Sequence, residues 1–404
     1  MSNSESVTAL SRRNFLNLAI AASATAACST ILTERLLALP HRNHRYPQGA
    51  VAIDSNENPL GPSASAREAI TGIIPDGGRY SDWLTEELID TYAATENLPP
   101  DYIAVYPGSS EPLHYSVLAF TSPSRSYVTA DPGYEAGMHA AGIAGARIVK
   151  VALTSNYSHD VRAMLSKASD AGLFYVCTPN NPTGTLTSHS DIEYLVEHKP
   201  QGSVVMVDEA YIHFADGTTS AMDLVKAGKD VIVLRTFSKI YGMAGLRCGF
   251  SIARPDLQAK IGRYHGFNPM PITAVVAANA SLKDANLVPE RKRINTVTRE
   301  QVFDWLRTNG YSFIPSQSNC FMLDTRRDGQ HVIEAMRQQN VYIGRIWPVM
   351  PTYVRITVGT SAEMDQFQTA FNRVMKNTVV GKTVIPPPKA SKIRGLHERG
   401  FRFA

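Results

Sequence analysis

Six short apolar runs, separated by stretches with helical spacing, most constrain what this chain can fold into. They are Ile103–Tyr106, Tyr127–Thr129, Leu173–Cys177, Val204–Val207, Val231–Leu234 and Gly249–Ile252. Several of them are apolar without alternation, which is typical of strands buried on both faces. Strands that alternate with helices form βαβ crossovers, so the sequence predicts an α/β fold with a mostly parallel central sheet flanked by helices.

A longer helical pattern after Pro289 predicts a second, smaller unit. Its apolar residues recur at helical spacing before a stop signal at Asn309-Gly310: Ile294, Val297, Val302, Trp305 and Leu306. We therefore predict a large domain over residues 76–285 and a small C-terminal α/β domain over residues 286–376. An N-terminal arm is predicted over residues 31–75, extended from Pro40 to Gly61, and a basic, Pro-containing tail over residues 377–404.

The N-terminus carries the pattern of a secretory signal. Residues 11–16 read Ser-Arg-Arg-Asn-Phe-Leu, and small and apolar residues follow from Leu16 to Ala27. Paired arginines before such a stretch mark the twin-arginine type, so residues 1–30 are predicted to direct the protein to the periplasm or beyond. Twin-arginine substrates cross the membrane folded, so any cofactor would be loaded in the cytoplasm. An ordinary amphipathic helix and lipidation at Cys28 remain open alternatives.

Charge and composition exclude several other classes of function. The net charge of +4 over 404 residues comes without a basic stripe interleaved with aromatics, so nucleic acid is not a predicted partner. No apolar run reaches the roughly 18 to 20 residues that a membrane span needs. The four cysteines are not spaced like zinc ligands, and no metal site is predicted. Cys177, Cys248 and Cys320 are predicted to be small buried residues without disulfides.

Residues suited to chemistry follow the predicted strands directly. Ser238 and Lys239 come after Val231–Leu234, and Arg247 lies eight residues beyond the lysine. A lysine in a partly desolvated cleft has a lowered pKa and becomes a nucleophile, while a serine and an arginine nearby can bind a phosphate. Open α/β sheets bind ligands at this edge, so we predict a site there. One Ser-Lys pair alone is also compatible with a surface lysine.

The whole segment from Arg235 to Gly249 resembles the cofactor-lysine segment of class I/II aminotransferases of fold type I. It is most similar to that of histidinol-phosphate aminotransferases, and the resemblance extends from Ser55 to Ser361. It implies that the cofactor is pyridoxal 5′-phosphate (PLP) and that Lys239 holds it as a Schiff base. It also implies a homodimer with shared active sites that moves an amino group between an L-amino acid, or a related amine, and a 2-oxo acid.

The resemblance assigns four residues to the cofactor ring. Asp208 would pair with the protonated pyridine nitrogen, so that the ring can accept the electrons of a substrate carbanion. Tyr211 and Asn181 would contact the phenolic oxygen, and Tyr134 would stack on the ring. Seen alone, Asp208 could equally be a helix N-cap and Asn181 part of a turn.

The cofactor phosphate is assigned to a helix start. Ser109 and Ser110 precede an apolar helix whose N-terminal amides can bind an anion. Ser238 and Arg247 would complete this phosphate site by resemblance. Tyr80 would reach the phosphate of a neighbouring subunit, although Ser81 replaces the proline that usually follows this tyrosine in the family.

Three further residues are predicted to contact the substrate. Arg355, in the segment Tyr353–Thr360 that is similar to the family's C-terminal motif, would bind the α-carboxylate through its two-pronged guanidinium. Asn58 lies in the arm that folds over the family's active site. Arg345 falls near the arginine that meets the substrate side chain in histidinol-phosphate aminotransferases, but its surroundings depart from the usual pattern, and a surface arginine fits equally well.

Three other functions remain open at this stage. The chain could be a histidinol-phosphate aminotransferase proper, or a PLP-dependent lyase, decarboxylase or racemase on the same fold. It could also be an exported protein that binds without catalysis. Because histidine biosynthesis is cytoplasmic, the export signal favours a general aminotransferase over the histidinol-phosphate enzyme.

Overall fold

The computed structural model of the chain describes residues 46–266 and 269–377. The predicted signal, residues 31–45 of the predicted arm and the tail beyond Asn377 lie outside the described residues. The strands are β1 Val51–Ile53, β2 Ile103–Tyr106, β3 Ser126–Asp131, β4 Ile148–Ala152, β5 Ala171–Cys177, β6 Val204–Asp208, β7 Val231–Thr236, β8 Gly249–Ile252, β9 Ser312–Ile314, β10 Cys320–Asp324, β11 Val341–Ile343 and β12 Tyr353–Thr357. The helices are α1 Ala64–Ile73, α2 Asp82–Glu96, α3 Ser110–Phe120, α4 Ala136–Ile143, α5 Val161–Lys167, α6 His189–His198, α7 Met222–Lys226, α8 Pro255–Gly262, α9 Ile272–Lys283, α10 Leu287–Thr308, α11 Gly329–Arg337 and α12 Ser361–Asn377.

A seven-stranded sheet in the order β2-β8-β7-β6-β5-β3-β4 forms the centre of the fold. Strand β8 is antiparallel to both of its neighbours, and the other pairs are parallel. Strands β5, β6 and β7 are buried along their whole length, as expected for strands covered on both faces. The predicted α/β fold with a mostly parallel sheet flanked by helices is therefore confirmed.

Two elements differ from the sequence-based expectation. Strand β4 was missed because its residues alternate between covered and exposed positions at the edge of the sheet, so that Lys150 interrupts the apolar run. Helix α10 begins before Pro289, since proline is tolerated in the first turn of a helix. In α10, Val302 and Leu306 are buried as predicted, whereas Val297 is 47% exposed. Four polar or charged residues of α10 are buried instead: Arg291, Asn295, Thr298 and Arg299.

The buried apolar residues lie mainly in two clusters. The larger surrounds the seven-stranded sheet, from Ala66 to Leu287. The smaller runs from Val302 to Val374, around the antiparallel sheet β12-β10-β9, and includes two residues of β1. We refer to them as the large core and the small core. None of the helices in the described part of the chain is long and apolar enough to cross a membrane.

The predicted arm contains regular structure in its described part. Strand β1 pairs in parallel with β11 and so belongs to the small core. Helix α1 begins after Ser63, whose Oγ accepts a hydrogen bond from the amide of Ala66 at 3.1 Å, a typical N-cap. The residues between β1 and α1 therefore run from the small core towards the large one, past the carboxyl edge of the central sheet.

Candidate active site

The loops that follow strands β2, β3, β5, β6 and β7 converge on one cavity of about 360 Å³. These strands run in the same direction, so their carboxyl ends meet at one edge of the sheet. Residues of the arm and of the small core complete the wall. The lining residues are Ser55, Asn56, Glu57, Ser109, Ser110, Tyr134, Cys177, Asn181, Asp208, Ala210, Tyr211, Thr236, Ser238, Lys239, Ala244, Arg247, Arg345 and Arg355.

Lys239 lies in the loop after β7 and extends into the cavity. Its Nζ donates a hydrogen bond to the main-chain carbonyl of Asn56 at 3.0 Å and lies 5.6 Å from the centre of the Tyr211 ring. Burial and the positive charge of Arg355 lower the pKa of Lys239 to about 8. A larger fraction of the amine is therefore neutral near neutral pH than in a free lysine, as a nucleophile or a base requires.

Asp208 ends β6 as a buried carboxylate on the cavity wall. Its Oδ2 accepts a hydrogen bond from the hydroxyl of Tyr175 at 2.8 Å, and its Oδ1 accepts one from the amide of Ala210 at 3.1 Å. Burial raises the pKa of Asp208 to about 6, although these two hydrogen bonds oppose the shift. A carboxylate held in this way has a fixed orientation and favours a cationic partner in the cavity.

A set of anion-binding groups surrounds the start of α3. The Arg247 guanidinium donates Nη1 to the Ser238 hydroxyl at 3.3 Å and Nη2 to the carbonyl of Pro107 at 3.2 Å. Gly108 has φ +88°, and a Cβ at this position would collide with the Arg247 guanidinium. The absence of a side chain at Gly108 therefore lets the cation lie close to the helix N-terminus, where Ser109 and Ser110 line the cavity. The site fits a phosphate group.

Arg355 reaches the cavity from β12 in the small core. Its Nη1 donates to Oδ1 of Asn181 at 2.9 Å, and its Nη2 donates to the carbonyl of Asp54 at 2.7 Å. Its buried Nε has no hydrogen-bond partner among the described residues. Burial lowers the pKa of Arg355. A buried guanidinium with an unsatisfied donor is suited to binding a carboxylate.

The arm contributes Asn56 to the same network. Its Nδ2 donates to the hydroxyl of Tyr211 at 3.0 Å, and its Oδ1 accepts from the hydroxyl of Thr357 at 3.2 Å. The amide of Asn56 also donates to the oxygen of Thr357 at 2.9 Å, at a residue whose φ is +53°. These bonds join the arm to β12 and to the loop after β6, and so position the Tyr211 hydroxyl at the cavity.

The structure places eleven of the thirteen predicted site residues on the cavity and two elsewhere. Asn58 does not line it: its Nδ2 donates to the carbonyl of Ile240 at 3.0 Å, and its side chain faces a separate cavity. The arm residue that reaches the site is Asn56, two positions earlier. Tyr80 is 87% exposed and lies away from the cavity of its own chain.

Tyr175 is a site-supporting residue that the sequence does not reveal. It lies within β5 and is fully buried, so its pattern is that of an ordinary core residue. Its contact with Asp208 depends on the pairing of β5 with β6, which brings two residues from neighbouring strands together. For Asn56 a signal was available, because it belongs to the same Ser55–Pro62 segment as Asn58.

Comparison with known proteins gives consistent findings. The family model for aminotransferase class I and II matches residues 49–371. A histidinol-phosphate aminotransferase of Moorella thermoacetica is 32% identical, over 80% of this chain and 85% of the relative. An aromatic amino acid aminotransferase of Cutibacterium acnes is 33% identical, over 85% of this chain and 97% of the relative. The crystal structure of histidinol-phosphate aminotransferase from Sinorhizobium meliloti in complex with pyridoxal-5′-phosphate has a TM-score of 0.75 and 25% identity, covering 81% of this chain and 92% of that chain.

Proposed function

This chain belongs to the class I and II aminotransferase family and is a PLP-dependent transaminase, and on that premise we propose that the cavity around Lys239 is its active site. There an amino group passes between an L-amino acid, or a related amine, and a 2-oxo acid. One observation carries the proposal: Lys239, Asp208 and Arg355, far apart in the sequence, line the same cavity. An amine, a buried carboxylate and a buried guanidinium are the groups that this chemistry requires.

The cavity offers a complementary group for each polar part of the cofactor. Ser109, Ser110, Ser238 and Arg247 would bind the phosphate. Asp208 would hold a proton on the pyridine nitrogen. Two further residues, Asn181 and Tyr211, would donate hydrogen bonds to the phenolic oxygen, and Tyr134 would cover the ring. When bound, PLP supplies an electron sink for the substrate carbanion.

Arg355 orients the substrate, and Lys239 moves its α-proton. Arg355 binds the α-carboxylate, and this fixes the α-carbon relative to the other groups of the cavity. The neutral amine of Lys239 takes the proton from the α-carbon and returns it later in the cycle, for which a pKa near the working pH is favourable. Lys239 lies against the arm, so the arm limits access of water to its amine.

The general reaction is tested by supplying the purified holoenzyme with a panel of L-amino acids and one 2-oxo acid acceptor. We expect the oxo acid of the donor and the amino acid of the acceptor to form in equal amounts, without release of CO2. Aromatic donors and histidinol phosphate belong in the panel, since relatives named for both substrates match this chain. Release of CO2 or racemisation of the donor without amino transfer would contradict the proposal.

A homodimer is part of the proposed function. Ile74, Tyr80 and Trp83 are large apolar residues within one short segment, and each is at least 60% exposed. Such a group of exposed apolar residues favours an interface, and a second copy would cover it while supplying Tyr80 to a neighbouring phosphate site. Sedimentation of the holoenzyme should give the mass of two chains. A monomer with full activity would exclude this arrangement.

Export by the twin-arginine route is also proposed, on the basis of the Ser11–Leu16 motif and the apolar stretch after it. Fractionation of cells should recover the PLP-loaded protein outside the cytoplasm. Replacing Arg12 and Arg13 with lysines should retain it inside, and export of that variant at the normal level would contradict this route.

A further inference from the structure

A charged pair borders the active-site cavity on the side of the small core. Arg345 follows β11, and its Nη2 donates to Oε2 of Glu135, at the start of α4, at 2.6 Å. Both side chains are shielded, with exposed fractions of 18% and 21%. Arg345 lines the cavity, so the guanidinium that a substrate side chain would meet already has a carboxylate partner.

The position of Arg345 is fixed from a second side by Trp347. The guanidinium carbon lies 4.2 Å from the centre of the indole ring, within the range of a cation–π contact. Trp347 is 2% exposed, and its Nε1 donates to the carbonyl of Gly133 at 3.0 Å. Because the indole is anchored and Glu135 holds the other contact, a substrate anion that binds Arg345 would share the guanidinium with the carboxylate of Glu135.

The other arginine assigned to the substrate has a different environment. Arg355 donates to two uncharged oxygens, those of Asn181 and Asp54, and within the described residues no carboxylate lies at salt-bridge distance from it. Arg247 also lacks a carboxylate partner among the described residues but is assigned to the cofactor phosphate, so Arg355 is the one uncompensated guanidinium left for the substrate, which suits a single substrate carboxylate. A second substrate anion near Arg345 would lie beside the negative charge of Glu135.

We infer that Glu135 is a specificity-determining residue that makes the side-chain end of the cavity select neutral, planar side chains over carboxylate or phosphate groups. This inference rests on the proposed function of the cavity. A second anion is disfavoured because like charges in a shielded site repel strongly. A planar apolar side chain meets no such repulsion, and a guanidinium can stack on an aromatic face.

Two unreactive ligands test this inference on the holoenzyme. 3-Phenylpropanoate has one carboxylate and an aromatic ring, and glutarate has two carboxylates. Their dissociation constants are measured by titration calorimetry. We expect the wild-type protein to prefer 3-phenylpropanoate, and Glu135→Gln, which removes the charge and keeps the shape, to shift the ratio of the constants towards glutarate by about tenfold.

Two further variants make the result specific. Arg345→Met leaves the charge of Glu135 uncompensated, so it should shift the ratio in the opposite direction, away from glutarate. Glu334→Gln is the matched control, since it removes an exposed carboxylate that pairs with Arg337 on α11. It should leave the ratio unchanged.

The inference is overturned if Glu135→Gln leaves the ratio unchanged, or if Glu135→Gln and Arg345→Met shift it in the same direction. If Glu135→Gln does not fold, a shift towards glutarate in Arg345→Met overturns it. Neither ligand reacts, so the ratio does not depend on amino transfer. A shifted ratio in a protein that fails to transaminate would refute the proposed function alone, whereas an unshifted ratio in an active transaminase would refute the role of Glu135 alone.

Discussion

Replacement of Lys239 by alanine should lower kcat by a factor of about 10⁴ and abolish covalent attachment of PLP. Lys239 is the one lysine among the residues that line the described cavity, so no neighbouring amine can take its place. The absorption band of the linked cofactor should disappear from the visible spectrum. After borohydride reduction, mass spectrometry should find the cofactor on the Lys239 peptide of the wild-type protein and on no peptide of the variant.

The control for this experiment is Lys167→Ala, which removes an exposed lysine at the end of α5. It should keep the absorption band and the activity. Addition of methylamine should restore part of the activity of Lys239→Ala, because a free amine can enter the space left by the side chain and move the proton. A Lys239→Ala protein that keeps the linked cofactor and full turnover would refute the assignment of the active site.

Replacement of Asp208 by asparagine should lower kcat/KM by a factor of about 10² to 10³, because the buried charge that would face the pyridine nitrogen is lost while the shape is kept. The pH dependence of PLP binding gives a second readout. In the cofactor-free protein the raised pKa of Asp208, about 6, leaves the carboxyl protonated below that pH and charged above it. The affinity of the wild-type protein for PLP should therefore increase as the pH rises through about 6. The variant should lack this increase, as measured by fluorescence titration.

Tyr175→Phe supplies an intermediate case. It keeps the Asp208 charge and removes the hydrogen bond to Oδ2, so its kcat/KM should lie between those of the wild-type protein and Asp208→Asn. Asp304→Asn, at an exposed position on α10, is the matched control and should leave kcat/KM unchanged. Equal activity of Asp208→Asn and the wild-type protein would show that the carboxylate does not act on the cofactor.

The central sheet was predictable because parallel strands buried on both faces leave uninterrupted apolar runs, as in β5 to β7. Strand β4 was not, because an edge strand exposes alternate residues and its sequence is mixed. Helix α10 shows a different limit. Its spacing predicts a helix, but the predicted buried face was wrong at Val297, which is exposed. The buried face includes Arg291 and Arg299 instead, because their guanidinium groups donate hydrogen bonds to main-chain carbonyls.

For the site, residues that follow strand ends could be predicted, since a strand end fixes the position of the next few residues. Contacts between distant segments could not. The pairs Arg345–Glu135 and Tyr175–Asp208 join residues 210 and 33 positions apart. Nothing in the local sequence of either partner shows which charge or hydroxyl will face it. Asn56 and Asn58 illustrate the same limit over two positions, because the turn of the arm decides which of them faces inward.

The main-chain carbonyls of the arm compete with the ligands of this site for two of its charged side chains. Lys239 donates to the carbonyl of Asn56, and Arg355 donates to that of Asp54. On the proposed function, PLP would displace the first contact and a substrate carboxylate the second, so the affinity for each ligand is the difference between its own contacts and the contact it displaces. Because both acceptors are main-chain oxygens, substitution of the side chain at either position leaves them in place. Only a change in the path of the arm backbone could remove this internal competition.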